Sequence, residues 1–509
     1  MSSYDAIVVG AGHNGLVAAA YLARAGRRTL VCERRPFVGG ACATEELFPG
    51  YRMSSCAGVL GMIPARIHNE LALDEHGLRY HRLDPYITNL YPDRSVLTVW
   101  QDVEATQRSI AALSAADAAS FPAWNDFWAR AGRLVREYFL TAPPSPAELA
   151  DFARAIGEAE TLETLLTVPL GELVERFFED ERVRAAVVGL EDLGDPSVAG
   201  TAWTEARSQM IADSVTSEAF VEGGMGGVSE AIAAAARAAG AEIRLDAPVQ
   251  EIVVADGRVT GVRLASGEQL HAPLVLSNAD PKRTFRQLLA PEVVPDQTRA
   301  EVERLRTDVA YLRFHSIARE LPDLSEYLGR QATPREVAHI QIGPSLGHFR
   351  RAYEDARAGR PAREPIVYLQ VPTVYDPGLN SGPGYVVSAF VRYAPPRLAS
   401  GSWDAARDSV GEDLIEYITQ YIPNFRSSLE QWLLYTPWDL EQRLGLTDGN
   451  IRHLDMSPDQ VGSGRSISAS PYGTPVAGLF LCGSGTHPGG DVTGAPGHNA
   501  AHAAMEAAA

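Results

Sequence analysis

Lysine is nearly absent from this 509-residue chain: Lys282 is the only one, and arginine supplies the other cationic side chains. The pattern reads as the codon bias of a GC-rich genome, and it leaves a single candidate for any chemistry that needs a lysine. Positive charge is short overall, with 45 Lys and Arg against 64 Asp and Glu and a formal net charge of −19. Nucleic acid is therefore excluded as a partner, because phosphate binding needs a basic field. Cysteine is scarce too. Cys32, Cys42, Cys56 and Cys482 form no CxxC or CxxxxC pair, which excludes a dithiol-disulfide reductase and predicts buried free thiols. No run of 18 apolar residues occurs, so no segment is expected to span a membrane, and lipid contact could only be peripheral, through apolar surface. Met1-Ser-Ser-Tyr-Asp5 leads straight into the first apolar run without the pattern of a signal or transit peptide, so the cytoplasm is the expected compartment. Internal repeats, low-complexity stretches and metal-ligand patterns are missing as well. What remains, 45% hydrophobic and 21% charged, is ordinary globular sequence long enough for two interlocked domains. Oligomeric state is not legible in it.

The chain opens on Tyr4-Asp-Ala-Ile-Val-Val-Gly-Ala-Gly-His-Asn-Gly15. An apolar strand runs into a glycine turn, an Ala-rich helix is predicted over Asn14 to Ala25, Gly26 stops it, and a second strand over Arg28 to Cys32 ends at Glu33. That order is a dinucleotide-binding unit. Gly10 permits the tight turn, Gly12 lets the backbone approach a pyrophosphate, and Gly15 lets the helix pack closely on the strand. His13 and Asn14 lie within the turn, where the backbone of His13 counts for more than its ring. Glu33 follows Gly15 by 18 positions, close to the roughly 20 expected of a carboxylate that hydrogen-bonds the adenosine ribose. The next residues narrow the ligand. Arg34-Arg35-Pro-Phe-Val-Gly39-Gly40-Ala41 sets a second glycine pair just past that carboxylate, which a plain NAD domain does not need and the longer FAD does.

Glu33-Arg34 followed by Gly39-Gly40 resembles the phytoene desaturase-like FAD-dependent oxidoreductase superfamily, the flavoproteins that group phytoene desaturases, carotenoid isomerases, monoamine oxidases and retinol saturase. The usual continuation is Gly-Gly-Arg. Here Ala41 and Cys42 follow, so the arginine that many relatives aim at the flavin or pyrophosphate is absent from both positions. The resemblance implies an α/β protein. Its Rossmann-type FAD-binding domain, glutathione reductase-like and amine oxidase-like, would be assembled from the separated segments 1–99, 215–300 and 441–509. An α+β substrate domain would take 100–214 as a helical part and 301–440 as a sheet wall.

The intervening sequence agrees with that division. Apolar positions recur at helical spacing in Ile110 to Leu113, Phe121 to Trp128, Leu134 to Leu140, Leu149 to Ile156 and Leu173 to Phe178. Val221-Glu-Gly-Gly-Met-Gly-Gly227 has no clear strand feeding it, and is expected to be a loop abutting the cofactor rather than a second nucleotide site. Strands are predicted over Glu242 to Leu245, Val249 to Val254 and Val259 to Leu264, with Asp256-Gly257 as a turn. By resemblance, the backbone of Val249 would pair with adenine, and Asn278-Ala-Asp-Pro281 would be the crossover back to the substrate domain. Val309 to Ala318, Ile366 to Val371 and Tyr385 to Tyr393 read as strands of a cavity wall.

Gly478-Leu-Phe-Leu-Cys482 reads as a buried strand, and Gly483 to Gly490 as a glycine loop. Asp491-Val-Thr-Gly-Ala-Pro-Gly-His-Asn-Ala500 then starts a C-terminal helix. A helix N-terminus offers unpaired N–H groups and partial positive charge. Aimed at the N1–C2=O edge of an isoalloxazine, it would stabilise the anionic reduced flavin, and the backbone amides near Val492 and Thr493 are the candidates for that contact. Asp491 stands where many relatives have a small residue, and is expected to cap the helix, with a ribityl or substrate contact as the alternative. His487 and Asp491 are the two weak catalytic candidates, and the resemblance places Thr486-His487-Pro488 mainly as loop architecture. Gly12-His-Asn-Gly15, Pro49-Gly-Tyr-Arg-Met-Ser54, Asp448-Gly-Asn-Ile-Arg-His453 and His487-Pro-Gly-Gly490 are similar to one branch, the group of pyridine nucleotide-disulfide oxidoreductase domain-containing protein 2 and the flavin-type β-carotene ketolases.

Three functions follow. The first is a flavin enzyme that takes hydride from, desaturates, isomerises or oxygenates a lipophilic small molecule such as an isoprenoid or polyene. An amine oxidase is the second; those enzymes usually hold a water at flavin N5 with a lysine, and Lys282 lies directly after the crossover, too near the FAD domain for that place. The third is a flavin-binding interaction protein with little turnover. No cysteine or histidine motif for covalent attachment precedes the last strand, so FAD is expected to be noncovalent.

Overall fold

The structure is a computed structural model that describes residues 4–188, 195–208, 214, 216, 218–468 and 470–507. Its organising element is a five-stranded, all-parallel sheet in the order Leu479–Leu481, Val275–Ser277, Ala6–Val9, Thr29–Cys32, Glu242–Arg244. Distant parts of the chain therefore meet in one sheet. A parallel sheet covered on both faces needs continuous apolar strands, which Ala6-Ile-Val-Val9 provides. Ala6 and Val8 face the helices His13–Arg24, Gly226–Ala238 and Ala495–Ala507, while Ile7 and Val9 face the antiparallel sheet of Val249–Ala255, Arg258–Leu264 and Gln269–His271.

A second, seven-stranded sheet has the order Leu429–Tyr435, Ala310–Ala318, Tyr385–Ala394, Ile366–Gln370, His339–Ile342, Ile87–Leu90, Val96–Val99. All its pairings are antiparallel except the one between His339–Ile342 and Ile87–Leu90. This corrects the boundary read from the sequence at residue 99, because Ile87–Leu90 and Val96–Val99 are strands of this sheet and not of the nucleotide unit. One face of the sheet packs Leu312, Phe314, Val391, Leu369 and Ile340 against the helix Trp403–Tyr421. Its other face closes the functional cavity.

Residues 103–188 and 195–206 are mostly helical and share a core with Phe349, Tyr368 and Tyr393. The apolar stretches at 121–128 and 134–140 belong to one helix, Ala115–Phe139, which runs through Pro122. Proline cannot donate to the Ala118 carbonyl four residues back, and the Gln107 side-chain amide donates to it instead at 2.9 Å. Aromatics of this region, including Trp124, Phe127 and Trp128, are buried core.

The glycine stretch at 223–227 is fed by a strand after all. Ala219–Val221 pairs with Tyr80–Arg82 and leads through Gly223 and Gly224 into the helix Gly226–Ala238. Three residues are too few to show a period, which hid the strand in the sequence. Among the described residues, no helix is long and apolar enough to cross a membrane.

Candidate functional site

Two cavities abut at the carboxyl ends of the parallel strands, sharing His13, Ala41, Ile451 and Ser484. The first runs along the glycine turns. Gly10, Gly12, His13 and Asn14 line it from the start of the helix, Glu33 and Arg34 from the end of the second strand, and Gly39, Gly40 and Ala41 from the second turn; Val249 closes the far side. Thus ten of the residues singled out from the sequence line one space.

The turns that build it are packed backbone to backbone. The Gly39 amide donates to the Ala11 carbonyl at 2.8 Å, and a Cβ on Gly40 would lie 3.4 Å from Gly12 Cα. Gly15 does not line the space; a Cβ there would stand 2.2 Å from the Gly10 carbonyl, so its role is the close approach of helix to strand. Glu33 is buried, and its carboxylate accepts from the amides of Ala11 at 2.7 Å and Arg35 at 2.9 Å. Those bonds orient it and leave its remaining lone pairs for a ligand. Arg34 donates to the carbonyls of Gln442 and Arg443.

Asn14 links the two ends of the chain: its Nδ2 donates to Ser484 Oγ at 3.2 Å, while its buried Oδ1 has no partner among the described residues. An orphaned acceptor facing a glycine-walled groove, beside an oriented carboxylate, fits a dinucleotide with ribose hydroxyls. Val492 lines the second cavity, and Thr493 and Gly483 line neither. Among the described residues the amides of Val492 and Thr493 donate to nothing, which leaves them for a ligand.

Asp491 departs from the expected helix cap. Asp491 caps no helix, because Thr493 Oγ1 accepts from the Ala495 amide at 3.1 Å and takes that role. The Asp491 carboxylate instead pairs with both Arg207 and Arg452 at the wall of the second cavity. His13 also contributes through its ring, with Nε2 3.1 Å from the Asp491 carbonyl oxygen. Burial pushes His13 down to about 4, so the ring is neutral and donates there. His487 lines neither cavity; its Nε2 lies 2.8 Å from the Tyr138 carbonyl and ties the loop to the helix Ala115–Phe139. Lys282 donates to Thr307 at 2.8 Å and also lines neither cavity. All four cysteines are buried and free. Burial raises the thiols of Cys42 and Cys56, which line the second cavity, to about 12 and about 11, so both stay protonated. Among the described residues no group of three or more His, Cys, Asp or Glu is placed to hold a metal.

The second cavity contains residues that the sequence reading missed. Arg313, Phe390 and Tyr368 are paired neighbours across three strands of the seven-stranded sheet, and Gln370 pairs with His339 one step along. All five line the cavity, together with Arg392. Residues two apart in a strand share a face. Each strand thus sends apolar residues to the helix Trp403–Tyr421 and polar or aromatic ones to the cavity. Alternating polar positions inside strands buried on both faces were the available signal.

His339 is buried, and its Nδ1 lies 3.0 Å from the Tyr86 carbonyl oxygen. A carbonyl only accepts, so Nδ1 carries the proton. Burial pushes the imidazole down to about 4, with the Tyr86 carbonyl acting the other way, and Nε2 is left as a buried acceptor without a partner among the described residues.

Residues 15–320 match the family described as flavin containing amine oxidoreductase. The rat protein named pyridine nucleotide-disulfide oxidoreductase domain-containing protein 2 is 35% identical, with 98% of this chain and 93% of that one covered. A lycopene-forming phytoene desaturase of Pseudescherichia vulneris is 26% identical over 96% of both chains. In fold, the chain resembles a redesigned putrescine oxidase with a TM-score of 0.62 and 16% identity, covering 99% of each chain. The chain belongs to the flavin-containing amine oxidoreductase family and is an FAD-dependent oxidoreductase with the amine oxidase-like fold.

Proposed function

We propose that the protein dehydrogenates a lipophilic small molecule, of the isoprenoid or polyene kind that the phytoene desaturase relative is named for, in the second cavity. The observation that carries this reading is the continuity of the two cavities through His13, Ala41, Ile451 and Ser484. In this reading FAD is held noncovalently. Glu33 receives the ribose hydroxyls, Gly12 and the start of the following helix receive the pyrophosphate, Val249 lies beside the adenine, and the amides of Val492 and Thr493 face the ring system. Bound FAD supplies the acceptor for the hydrogen and electron pair that leave a substrate C–H bond.

The chain's own side chains do the rest. Val59, Met62, Tyr368 and Phe390 offer an apolar body its surface and exclude water, each buried CH2 contributing roughly 0.8 kcal/mol. His339 Nε2 takes the proton released from the adjacent position, since it is a neutral acceptor whose tautomer the Tyr86 carbonyl holds. Amine oxidation is the weaker reading. Arg313 brings positive charge to the cavity without a carboxylate beside it, and the single lysine is elsewhere.

Anaerobic mixing of the yellow protein with isoprenoids, polyenes and amines tests the proposal. Bleaching of the visible flavin band by an isoprenoid or polyene is expected. Bleaching by amines alone would replace it with an amine oxidase, and a band that no class bleaches would favour a binding protein with little turnover.

A further inference from the structure

Arg313 is fully buried at 0% exposure on Ala310–Ala318, the second strand of the seven-stranded sheet, yet among the described residues no side chain of opposite charge pairs with it. Among the described residues its Nη2 reaches only the Ser54 carbonyl, at a long 3.4 Å, while Nε and Nη1 are buried without any partner. Among the described residues no carboxylate pairs with it. The two acids that line the same cavity are engaged elsewhere: Glu218 accepts from the Tyr86 hydroxyl at 2.9 Å, and Asp491 is held by Arg207 and Arg452. The Arg313 guanidinium carbon lies 5.5 Å from the centre of the Phe390 ring, which offers partial compensation only. An unpaired buried cation costs several kcal/mol, and such a cost is sustained at a place where a ligand supplies the counter-charge.

The ligand's chemistry follows from the surroundings. A guanidinium presents a planar fork of N–H donors that matches a carboxylate in a bidentate pair. Beside it lie the rings of Phe390 and Tyr368, with the Arg392 guanidinium carbon 5.5 and 4.7 Å from their centres, and the apolar side chains of Val59 and Met62 line the same cavity, so the body next to the anion meets aromatic and aliphatic surface. We propose that Arg313 is the carboxylate-binding residue of this cavity, and that the substrate carries one carboxylate on an apolar body. This inference rests on the second cavity being the substrate site, and it narrows the substrate from a lipophilic molecule to a lipophilic acid.

Benzoate and benzamide, which share a shape and differ in charge, are the probes, titrated into the FAD-loaded protein by calorimetry and by the shift of the flavin absorption band. Benzoate is expected to bind at least tenfold more tightly than benzamide. R313M should abolish that preference, R313K should keep part of it, and both variants should retain the wild-type FAD content. Equal binding of the two probes by the wild-type protein would overturn the proposal, as would an undiminished preference in R313M. Loss of FAD from a folded R313M protein would also overturn it, by assigning Arg313 to the cofactor. If the wild-type protein held no FAD, the function proposed above would fail, whereas a calorimetric preference for benzoate lost in R313M would still support this one.

Discussion

The Nδ1–H of His339 points at the Tyr86 carbonyl oxygen 3.0 Å away, and this one bond turns the opposite ring nitrogen into an acceptor at the wall of the second cavity. If His339 accepts the substrate proton, H339Q should slow flavin bleaching by a substrate about 10²–10⁴-fold and leave FAD content unchanged. The wild-type rate should be flat above pH 5 and fall as His339 is protonated near pH 4. A rate in H339Q within a few-fold of wild type would remove His339 from the chemistry.

Gly12 tests the cofactor's place. A Cβ there would come 2.7 Å from Asn278 Nδ2 and project beside the groove that the two glycine turns form. Gly12→Val should lower the FAD bound per chain at least about tenfold, by occupying the pyrophosphate's approach. The count is made on the released flavin after purification, and a fully yellow variant refutes the placement.

Asp491 pairs with two arginines at once, so removing its charge takes a buried counter-charge from both. D491N is expected to lower the unfolding free energy by about 3 kcal/mol in a urea titration, the usual result of breaking one side of a buried ion pair. An unchanged midpoint would mean that water reaches and solvates Arg207 and Arg452.

Acid should destabilise the protein early. Burial holds His13, His339, His487 and His498 at about 4 and His453 at about 3, against an ordinary 6.5. Below pH 6.5 the unfolded chain binds protons that the folded one refuses, so stability falls with pH until about 4, where the folded histidines begin to protonate. Asp455, raised to about 6 by burial, opposes this for one proton. At pH 5 each histidine costs on the order of 1–2 kcal/mol. Denaturant midpoints at pH 7.5 and pH 5 measure the net effect, and equal midpoints would show that these rings are solvated.

Legibility along the chain follows the range of the physics involved. The parallel strands Ala6–Val9 and Thr29–Cys32 and the glycine turns were readable because each depends on a few adjacent residues. Ile87–Leu90 and Val96–Val99 were misassigned because a hairpin carries no mark of the sheet it will join; the parallel pairing of Ile340 with Thr88 decided that. Asp491 shows the same limit. Its short side chain at a helix start suggested a cap, and it became an ion-pair centre because Arg207 and Arg452, distant in the chain, fold against it.

Sequence alone determined the cofactor and the family, because a dinucleotide is grasped mainly by backbone, and backbone needs glycine at set spacings. It also determined that lysine stands at one position alone, Lys282. Only the tertiary structure decided the second cavity. Arg313, Tyr368 and His339 come from three strands, and strand pairing with a period of two puts them on one buried face, while Tyr86 stands just before a fourth strand, Ile87–Leu90. No local pattern encodes that juxtaposition.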